Sequence, residues 1–158
     1  YLLFFQISDV IPGIGLGTHA GLILVYLGGS IGFNAWLIKG FMDTISPSLD
    51  EAAKVDGANE FEIFTKIVAP LSRPILVVIF VITFIGIYSD FILAAIFLKD
   101  KNLWTVAVGI NTIFINDFNA DWRVIAASSV IAATPIAILF IFFQKQITGG
   151  LTSGSVKG

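Results

Sequence analysis

The sequence predicts an all-α membrane protein, a polytopic bundle of helices. Hydrophobic residues make up 56% of the chain and charged residues only 13%, with a mean hydropathy of +0.93. Soluble domains usually carry about 25% charged residues. Three mostly apolar segments, 18–39, 74–98 and 124–143, are long enough for a helix that crosses a bilayer, which needs about 20 residues. Most of the chain is therefore expected inside a membrane.

Two further apolar segments are too short to be complete spans. Residues 1–8 are expected to be the end of a preceding span, so that the sequence is a fragment of a longer chain. The run from Trp104 to Ile115 has about 12 residues, and we expect it to lie at the interface or outside the membrane. The sequence thus predicts three complete spans and the end of a fourth.

The basic residues predict the orientation, because Lys and Arg concentrate in short cytoplasmic loops. Six of the nine basic residues fall on one side of the predicted spans and three on the other. The side with six is taken as cytoplasmic. The connecting segments are then an outer loop at 9–17, a cytoplasmic loop at 40–73, an outer loop at 99–123 and a cytoplasmic tail at 144–158.

The predicted cytoplasmic loop has the pattern of two short helices joined by a sharp turn. Ser48 and Glu51 have the spacing of a capping box at the start of the first helix. Asn59 and Glu62 repeat that spacing for the second helix. Gly57 can adopt the positive φ that ends a helix. We therefore expect a bend at Gly57.

The second of these helices is predicted to be amphipathic. Phe61, Phe64 and Val68 recur at three- and four-residue spacing, which gives one apolar face. Pro70 is expected to end the helix, because proline lacks the backbone N–H that a helix interior uses. A hairpin with this pattern can lie on the membrane surface, or it can bury its apolar face against another protein, and the pattern alone leaves both interpretations open.

The order Glu51-Ala52-Ala53, three residues, Gly57, nine residues, Ile67 resembles the EAA loop of binding-protein-dependent ABC importer permeases. The resemblance implies that residues 48–68 form a coupling helix that sits in a groove on an ATP-binding subunit. Small alanines suit close approach to another protein, and a glutamate can pair with a basic partner. The docking residues implied in this way are Glu51, Ala52, Ala53, Asp56, Gly57, Phe61, Phe64, Ile67 and Pro70.

The tail from Gln144 to Gly158 is rich in Gly, Ser and Thr, a composition typical of flexible ends. It also resembles the closing segment of the carbohydrate branch of these permeases, most of all the smaller membrane subunit of maltose/maltodextrin importers. That resemblance implies a tail that reaches toward the ATPase subunits. It further implies that the chain is the C-terminal half of a six-span permease in a prokaryotic cell membrane.

Two polar residues inside the predicted spans are candidates for the transport path. A carboxylate within a membrane is costly unless it is paired or hydrated, so Asp90 is either a functional group or a residue hydrogen-bonded inside the bundle. The functional hypotheses for it are a proton relay and a substrate contact. Asn34 can line a path or bond a neighbouring helix, and the sequence does not decide between these roles.

The outer loop carries Trp104, Asn119 and Trp122, which the resemblance assigns to contact with an extracytoplasmic solute-binding protein. Aromatic and amide side chains suit sugar and protein surfaces. Tryptophan is also enriched at membrane boundaries for reasons unrelated to partners, so the aromatic belt is the alternative interpretation.

Several classes of chemistry find no support in the residues. The chain has no cysteine and one histidine, so we expect no metal site and no Ser-His catalytic triad. It has no G-x-x-x-x-G-K-[ST] motif, and ATP and Mg²⁺ are therefore expected on partner subunits, with no enzymatic activity in this chain. The net charge of −2 gives no electrostatic basis for nucleic-acid binding.

The resemblance thus implies a permease subunit of an ATP-driven importer for maltodextrin-like oligosaccharides. Its expected partners are a second permease subunit, two ATP-binding subunits, a solute-binding protein and membrane lipid. The alternatives are an importer permease for a different small solute, a proton-coupled secondary transporter that uses Asp90, and a membrane scaffold without transport.

Overall fold

Every regular element in the described residues is helical, which confirms the predicted all-α class. The computed structural model describes residues 4–6, 11, 13–116 and 121–152, with backbone alone for 115–116 and 148–152. Of the preceding span predicted at 1–8, only the helical residues 4–6 fall within that description. The α-helices that follow residue 18 are α1 His19–Met42, α2 Pro47–Val55, α3 Glu60–Ile63, α4 Ala69–Leu71, α5 Arg73–Ser89, α6 Ile92–Phe97, α7 Val106–Asn116 and α8 Trp122–Thr152. A π-helical turn, Phe64–Val68, joins α3 to α4, and a 3₁₀ turn, Lys101–Leu103, precedes α7.

Two of these helices are long and apolar enough to cross a membrane. They are α1 and the part of α8 that runs from Trp122 to Ile147. A third candidate arises if Glu60–Leu71 and Arg73–Ser89 count as one span, although the two segments meet at an angle of 62°. By length and composition, the described residues therefore hold two candidate spans, or three with the bent pair.

The apolar segment at 74–98 contains two helices rather than one. Helix α5 ends at Ser89, and α6 begins at Ile92. Between them, Oδ1 of Asp90 accepts hydrogen bonds from the backbone N–H of Leu93, at 2.9 Å, and of Ala94, at 3.3 Å. An aspartate side chain offers the backbone an alternative to helical hydrogen bonds. The break therefore follows from one polar residue, Asp90. The mean hydropathy of the whole segment does not reveal such a residue.

The predicted capping box at Ser48 and Glu51 is wrong. Helix α2 begins at Pro47, its N-cap is Ser46, and no side chain caps it. The Oγ atoms of Ser46 and Ser48 instead lie 2.8 Å apart in a hydrogen bond. Proline is favoured in the first helical turn because its fixed φ suits a helix and its missing N–H is not needed there. Pro47 therefore starts the helix before Ser48 can act as a cap.

The second capping box is confirmed. The backbone N–H of Glu62 donates to Oδ1 of Asn59 at 2.9 Å, and the backbone N–H of Asn59 donates to Oε2 of Glu62 at 3.1 Å. The Lys66 ammonium, 2.9 Å from Oε1 of Glu62, and the Asn59 N–H both lower the pKa of that carboxyl. The bond from the Asn59 N–H to the Glu62 carboxylate is consequently at full strength at neutral pH and weakens as the pH falls through the lowered pKa of Glu62.

The prediction that Pro70 ends the second helix is also wrong. The backbone continues through the π-helical turn into α4, where Pro70 is the second residue. In the π-helical turn the N–H of Ala69 donates to the carbonyl of Phe64, five residues earlier. Pro70 follows this wider turn in the first turn of α4, a position in which proline is tolerated. The helical path instead breaks at Ser72.

The chain divides into two compact units, one of residues 1–30 and 83–140 and one of residues 31–82 and 141–158. The first has a core of small and large apolar side chains: Leu22, Ala94, Phe97, Leu98 and Val108. It is joined at its edge by the N–H of Gly17, which donates to the carbonyl of Phe97 at 2.9 Å. The second unit contains the loop from α2 to α4, and in it the rings of Phe80 and Phe143 meet edge to face at 5.8 Å.

Removing the cap of α3 is expected to loosen that helix alone. Asn59→Ala deletes the acceptor for the Glu62 N–H and should cost about 1 kcal/mol locally. Hydrogen exchange of the peptide that contains residues 59–63 should therefore be about five-fold faster in purified protein. Ser48→Ala is the matched control, because Ser48 caps no helix, and exchange in α2 should be unchanged. Equal effects of both substitutions on their own helices would contradict this assignment.

Candidate functional site

Helix α2 ends in a turn that needs a glycine for its conformation. The N–H of Ala58 donates to the carbonyl of Ala53 at 3.0 Å, and the N–H of Gly57 donates to that of Lys54 at 3.1 Å. These two bonds form a Schellman motif, in which the residue after the C-cap has positive φ. Gly57 has φ +85°. A Cβ at this position would meet no atom within 4 Å, so the requirement is for backbone freedom rather than for space.

Several contacts join the two short helices into one hairpin. Ala53 is 8% exposed and Ile63 is buried. The Lys54 Nζ lies 2.9 Å from Oε1 of Glu60 across the turn. That carboxylate raises the pKa of Lys54 through a hydrogen bond and through its charge. An exposed pair of this kind adds little stability, so the Schellman motif and the capping box define the hairpin.

The hairpin leaves large apolar side chains uncovered by the described residues. Val55 is 87% exposed, Phe61 is 74% exposed and Phe64 is 57% exposed. They lie on a loop that also carries five acidic residues, Asp50, Glu51, Asp56, Glu60 and Glu62. Large apolar side chains that remain exposed in a charged segment make this loop a candidate site of interaction with a protein or a membrane. We refer to Val55, Phe61 and Phe64 as the apolar loop patch.

The other residues that the resemblance assigned to docking divide by exposure. Ala53 is buried, and Ile67 is half-buried. The residues open to solvent are Glu51, Ala52, Asp56, Gly57 and Pro70. Of the two alanines, Ala52 is therefore the one that can approach another surface, because Ala53 is already buried.

Asp90 is hydrogen-bonded within the first unit. In addition to the two N–H groups of α6, its Oδ1 accepts the hydroxyl of Tyr26 at 3.1 Å. One carboxylate oxygen thus caps α6 and ties it to α1. This geometry favours the structural hypothesis for Asp90 over a proton relay. Asn34, the other polar candidate, is half-buried in α1.

A cavity of about 450 Å³ in the first unit was not predicted from the sequence. Aromatic rings of Tyr88, Phe91 and Phe114 line it, together with Ser89 and Asn111. Within the part of the chain that the structure describes, the Oδ1 of Asn111 is buried and has no hydrogen-bond partner. A buried acceptor without a donor is costly. The signal for this residue in the sequence was an isolated amide in an apolar run.

The outer-loop candidates have different environments. Trp122 is 80% exposed at the start of α8, whereas Trp104 is half-buried against the core of the first unit, with Lys101 Nζ at 5.9 Å from its ring centre. Asn119 lies outside the described residues. The Nε2 of His19 is 2.9 Å from the carbonyl of Leu103, a hydrogen bond between the start of α1 and this loop.

Comparison of the sequence with known proteins identifies a transport family. The model of the family described as "Binding-protein-dependent transport system inner membrane component" matches residues 1–152. The maltose/maltodextrin transport system permease protein MalG of Photorhabdus laumondii subsp. laumondii is 44% identical over all 158 residues. The same identity and coverage hold for the proteins of that name from Vibrio vulnificus (strain YJ016) and Escherichia coli (strain K12).

These relatives are longer than the present sequence. The chain covers 53% of the length of each, so it spans about half of the relatives that it matches. The match to the family model, in contrast, covers nearly all of the chain. The chain therefore belongs to the family of inner membrane components of binding-protein-dependent transport systems.

Proposed function

We propose that this chain is part of a permease subunit of an ATP-driven importer, and that its hairpin docks on an ATP-binding subunit. The observation that carries the proposal is the exposure of the apolar loop patch on a hairpin with the EAA spacing. Burying one such side chain at an interface contributes about 1.5–3 kcal/mol. Val55 and Phe61 are exposed enough to supply most of their surface to a groove.

The hairpin suits the transmission of movement because its own shape is well determined. Its turn is a Schellman motif at Gly57. Its second helix begins with the two reciprocal hydrogen bonds of the Asn59–Glu62 capping box. Closure of two ATP-binding subunits would displace the docked hairpin, and the spans would rotate between inward-open and outward-open states. In this proposal ATP and Mg²⁺ are bound by those partner subunits, and this chain supplies the lever and part of the translocation path.

The proposed substrate is a sugar, most simply a maltodextrin-like oligosaccharide. The support for this choice is the 44% identity to three proteins named as maltose/maltodextrin transport system permeases. The remaining partners are a second permease subunit and a solute-binding protein that meets the outer loop near Trp104, Asn119 and Trp122. The proposed location is the cell membrane of a prokaryote, in contact with lipid, with several spans.

Docking is expected to produce a specific cross-link. In the full-length protein, Val55→Cys should form a disulfide with a cysteine in the surface groove of a co-expressed ATP-binding subunit. Val55 is 87% exposed, and these 158 residues contain no cysteine; any cysteine elsewhere in the full-length protein is first replaced by serine. The yield should change when ATP is added. Thr44→Cys is the control, since Thr44 is exposed but precedes the hairpin. Absence of the Val55 cross-link, with both proteins folded and present, would contradict the proposal.

The apolar character of Phe61 is expected to matter more than its size. Phe61→Ser should weaken association with the ATP-binding subunit about 30-fold, which corresponds to a loss of about 2 kcal/mol of apolar burial. Phe61→Leu retains an apolar side chain and should lose much less. Co-purification at graded concentrations of the ATP-binding subunit measures both. Equal association of the serine variant and the wild type would show that Phe61 lies outside the interface.

Asp90 is expected to act as a hydrogen-bond acceptor rather than as a proton carrier. An asparagine at this position keeps an oxygen for the N–H of Leu93 and the hydroxyl of Tyr26, whereas alanine does not. Asp90→Asn should therefore retain solute uptake, and Asp90→Ala should reduce it and lower the thermal stability of the purified protein. Loss of uptake in Asp90→Asn, at normal stability, would favour the proton-coupled carrier.

A further inference from the structure

The path from the hairpin to α5 contains a sharp bend at one buried serine. The segments Glu60–Leu71 and Arg73–Ser89 meet at 62°, and Ser72 is the residue between them. Its backbone has φ −82° and ψ −6°, whereas a regular α-helix has ψ near −42°. The change of direction is therefore located in the backbone of Ser72.

Proline prevents this bend from straightening. Pro74 has no N–H to donate to the carbonyl of Pro70, and in a continuous helix its ring would clash with that carbonyl. At its observed place, in the first turn of α5, it is tolerated. Pro74 thus requires a break in the helix at this point. It does not determine the direction in which α5 leaves the break.

The hydroxyl of Ser72 supplies the missing constraint. Its Oγ donates to the carbonyl of Val68 at 2.7 Å, and its backbone N–H donates to the same carbonyl at 2.9 Å. A serine that bonds to the carbonyl four residues earlier often bends a helix, and here the bond lies at a point where Pro74 already interrupts it. Two donors from one residue to one acceptor hold Ser72 to the end of the π-helical turn.

Ser72 is also packed against the end of α1. It is 2% exposed, the one polar residue among the buried side chains of the described chain, and its Oγ lies 3.8 Å from Sδ of Met42. Because the hydroxyl proton serves the shorter bond to Val68, the sulfur is a packing neighbour. A buried hydroxyl with one good acceptor and a close apolar neighbour has little freedom to reorient.

We propose that Ser72 is a positioning residue that fixes the angle between the hairpin and α5, so that displacement of the hairpin moves the span instead of flexing the joint. The proposal rests on the proposed function, because it requires the hairpin to be the part that a partner moves. The elbow is defined here as Val68, Pro70, Ser72 and Pro74 with Met42 against it. Loosening it should separate ATP hydrolysis from transport while leaving docking intact.

The first test measures the efficiency of coupling in the complete importer reconstituted in proteoliposomes. Ser72→Ala removes the Oγ bond but leaves the Val68 carbonyl paired with the Ser72 N–H, so no buried group is orphaned. Solute uptake per ATP hydrolysed should fall about five-fold, the factor expected for the loss of one ordinary hydrogen bond. Ser72→Thr keeps a hydroxyl at this position and should restore most of the ratio.

Ser129→Ala is the matched control. The Oγ of Ser129 also donates to the carbonyl four residues earlier, that of Ile125 at 2.8 Å, but within the continuous helix α8. The same chemical change is therefore made without a bend, and uptake per ATP should stay at the wild-type value. An equal fall in Ser129→Ala and Ser72→Ala would overturn the special role of the elbow.

The second test measures the angle directly and does not depend on transport. Spin labels on cysteines that replace Lys66 and Ile82, both exposed and on opposite sides of Ser72, report the distance across the bend in purified full-length protein. Ser72→Ala and Met42→Ala should both broaden the distance distribution, whereas Met42→Leu should leave it narrow. An unchanged distribution in both alanine variants would overturn the proposal.

The two proposals fail in different ways. If the Val55 cross-link is absent in the otherwise native protein, the docking function itself is wrong. If that cross-link forms in Ser72→Ala and uptake per ATP is nevertheless unchanged, docking stands and the elbow proposal is wrong. Retained cross-linking with a reduced ratio of uptake to hydrolysis is the result that supports both.

Discussion

Backbone hydrogen bonding is the constraint on which this structure depends. Within a bilayer every N–H and C=O group needs a partner from the protein, which allows only helices or closed barrels to cross. A helix that stops inside an apolar segment therefore needs other partners for the backbone groups at the break, and Asp90 supplies one at the start of α6. The helical path also breaks at the other end of α5, and there too a side-chain oxygen, that of Ser72, bonds to the backbone.

The two breaks use that oxygen in opposite ways. Asp90 is an acceptor, and it satisfies the N–H groups at the start of α6. Ser72 is a donor, and it adds a second bond to a carbonyl at the end of the π-helical turn. Each also contacts a residue of α1, Tyr26 in one case and Met42 in the other. The side chains that bond to the backbone at the two breaks thus also contact the neighbouring helix α1.

The sequence was sufficient for features that depend on neighbouring residues. The all-α class follows from long apolar segments, and the cap at Asn59 and the turn at Gly57 follow from local chemistry. The bend at Ser72 could not be predicted in this way. It depends on a π-helical turn, on two prolines and on packing against Met42, which is 30 residues distant in sequence. The same limit applies to the break at Asp90, whose partner Tyr26 is 64 residues away.

The sequence predicted an apolar face on the second helix of the loop but not whether that face is exposed. Three- and four-residue spacing identified an apolar face on Phe61 and Phe64, but spacing cannot show whether another part of the chain covers that face. The wrong cap at Ser48 has a different origin, because Pro47 already occupies the first helical position and moves the N-cap back to Ser46. Single motifs were thus less informative than the competition between adjacent ones.

The hairpin illustrates how weak interactions give a small element a definite shape. An exposed ion pair such as Lys54 with Glu60 contributes little by itself, and an isolated helix as short as α2 or α3 is not stable in water. The Schellman motif, the capping box and the burial of Ala53 and Ile63 act on the same few residues. None of these interactions uses the side chains of Val55 and Phe61, which are largely exposed. A hairpin that is ordered before it meets a partner loses less conformational entropy on binding, and it can pass on a displacement that a disordered loop would absorb.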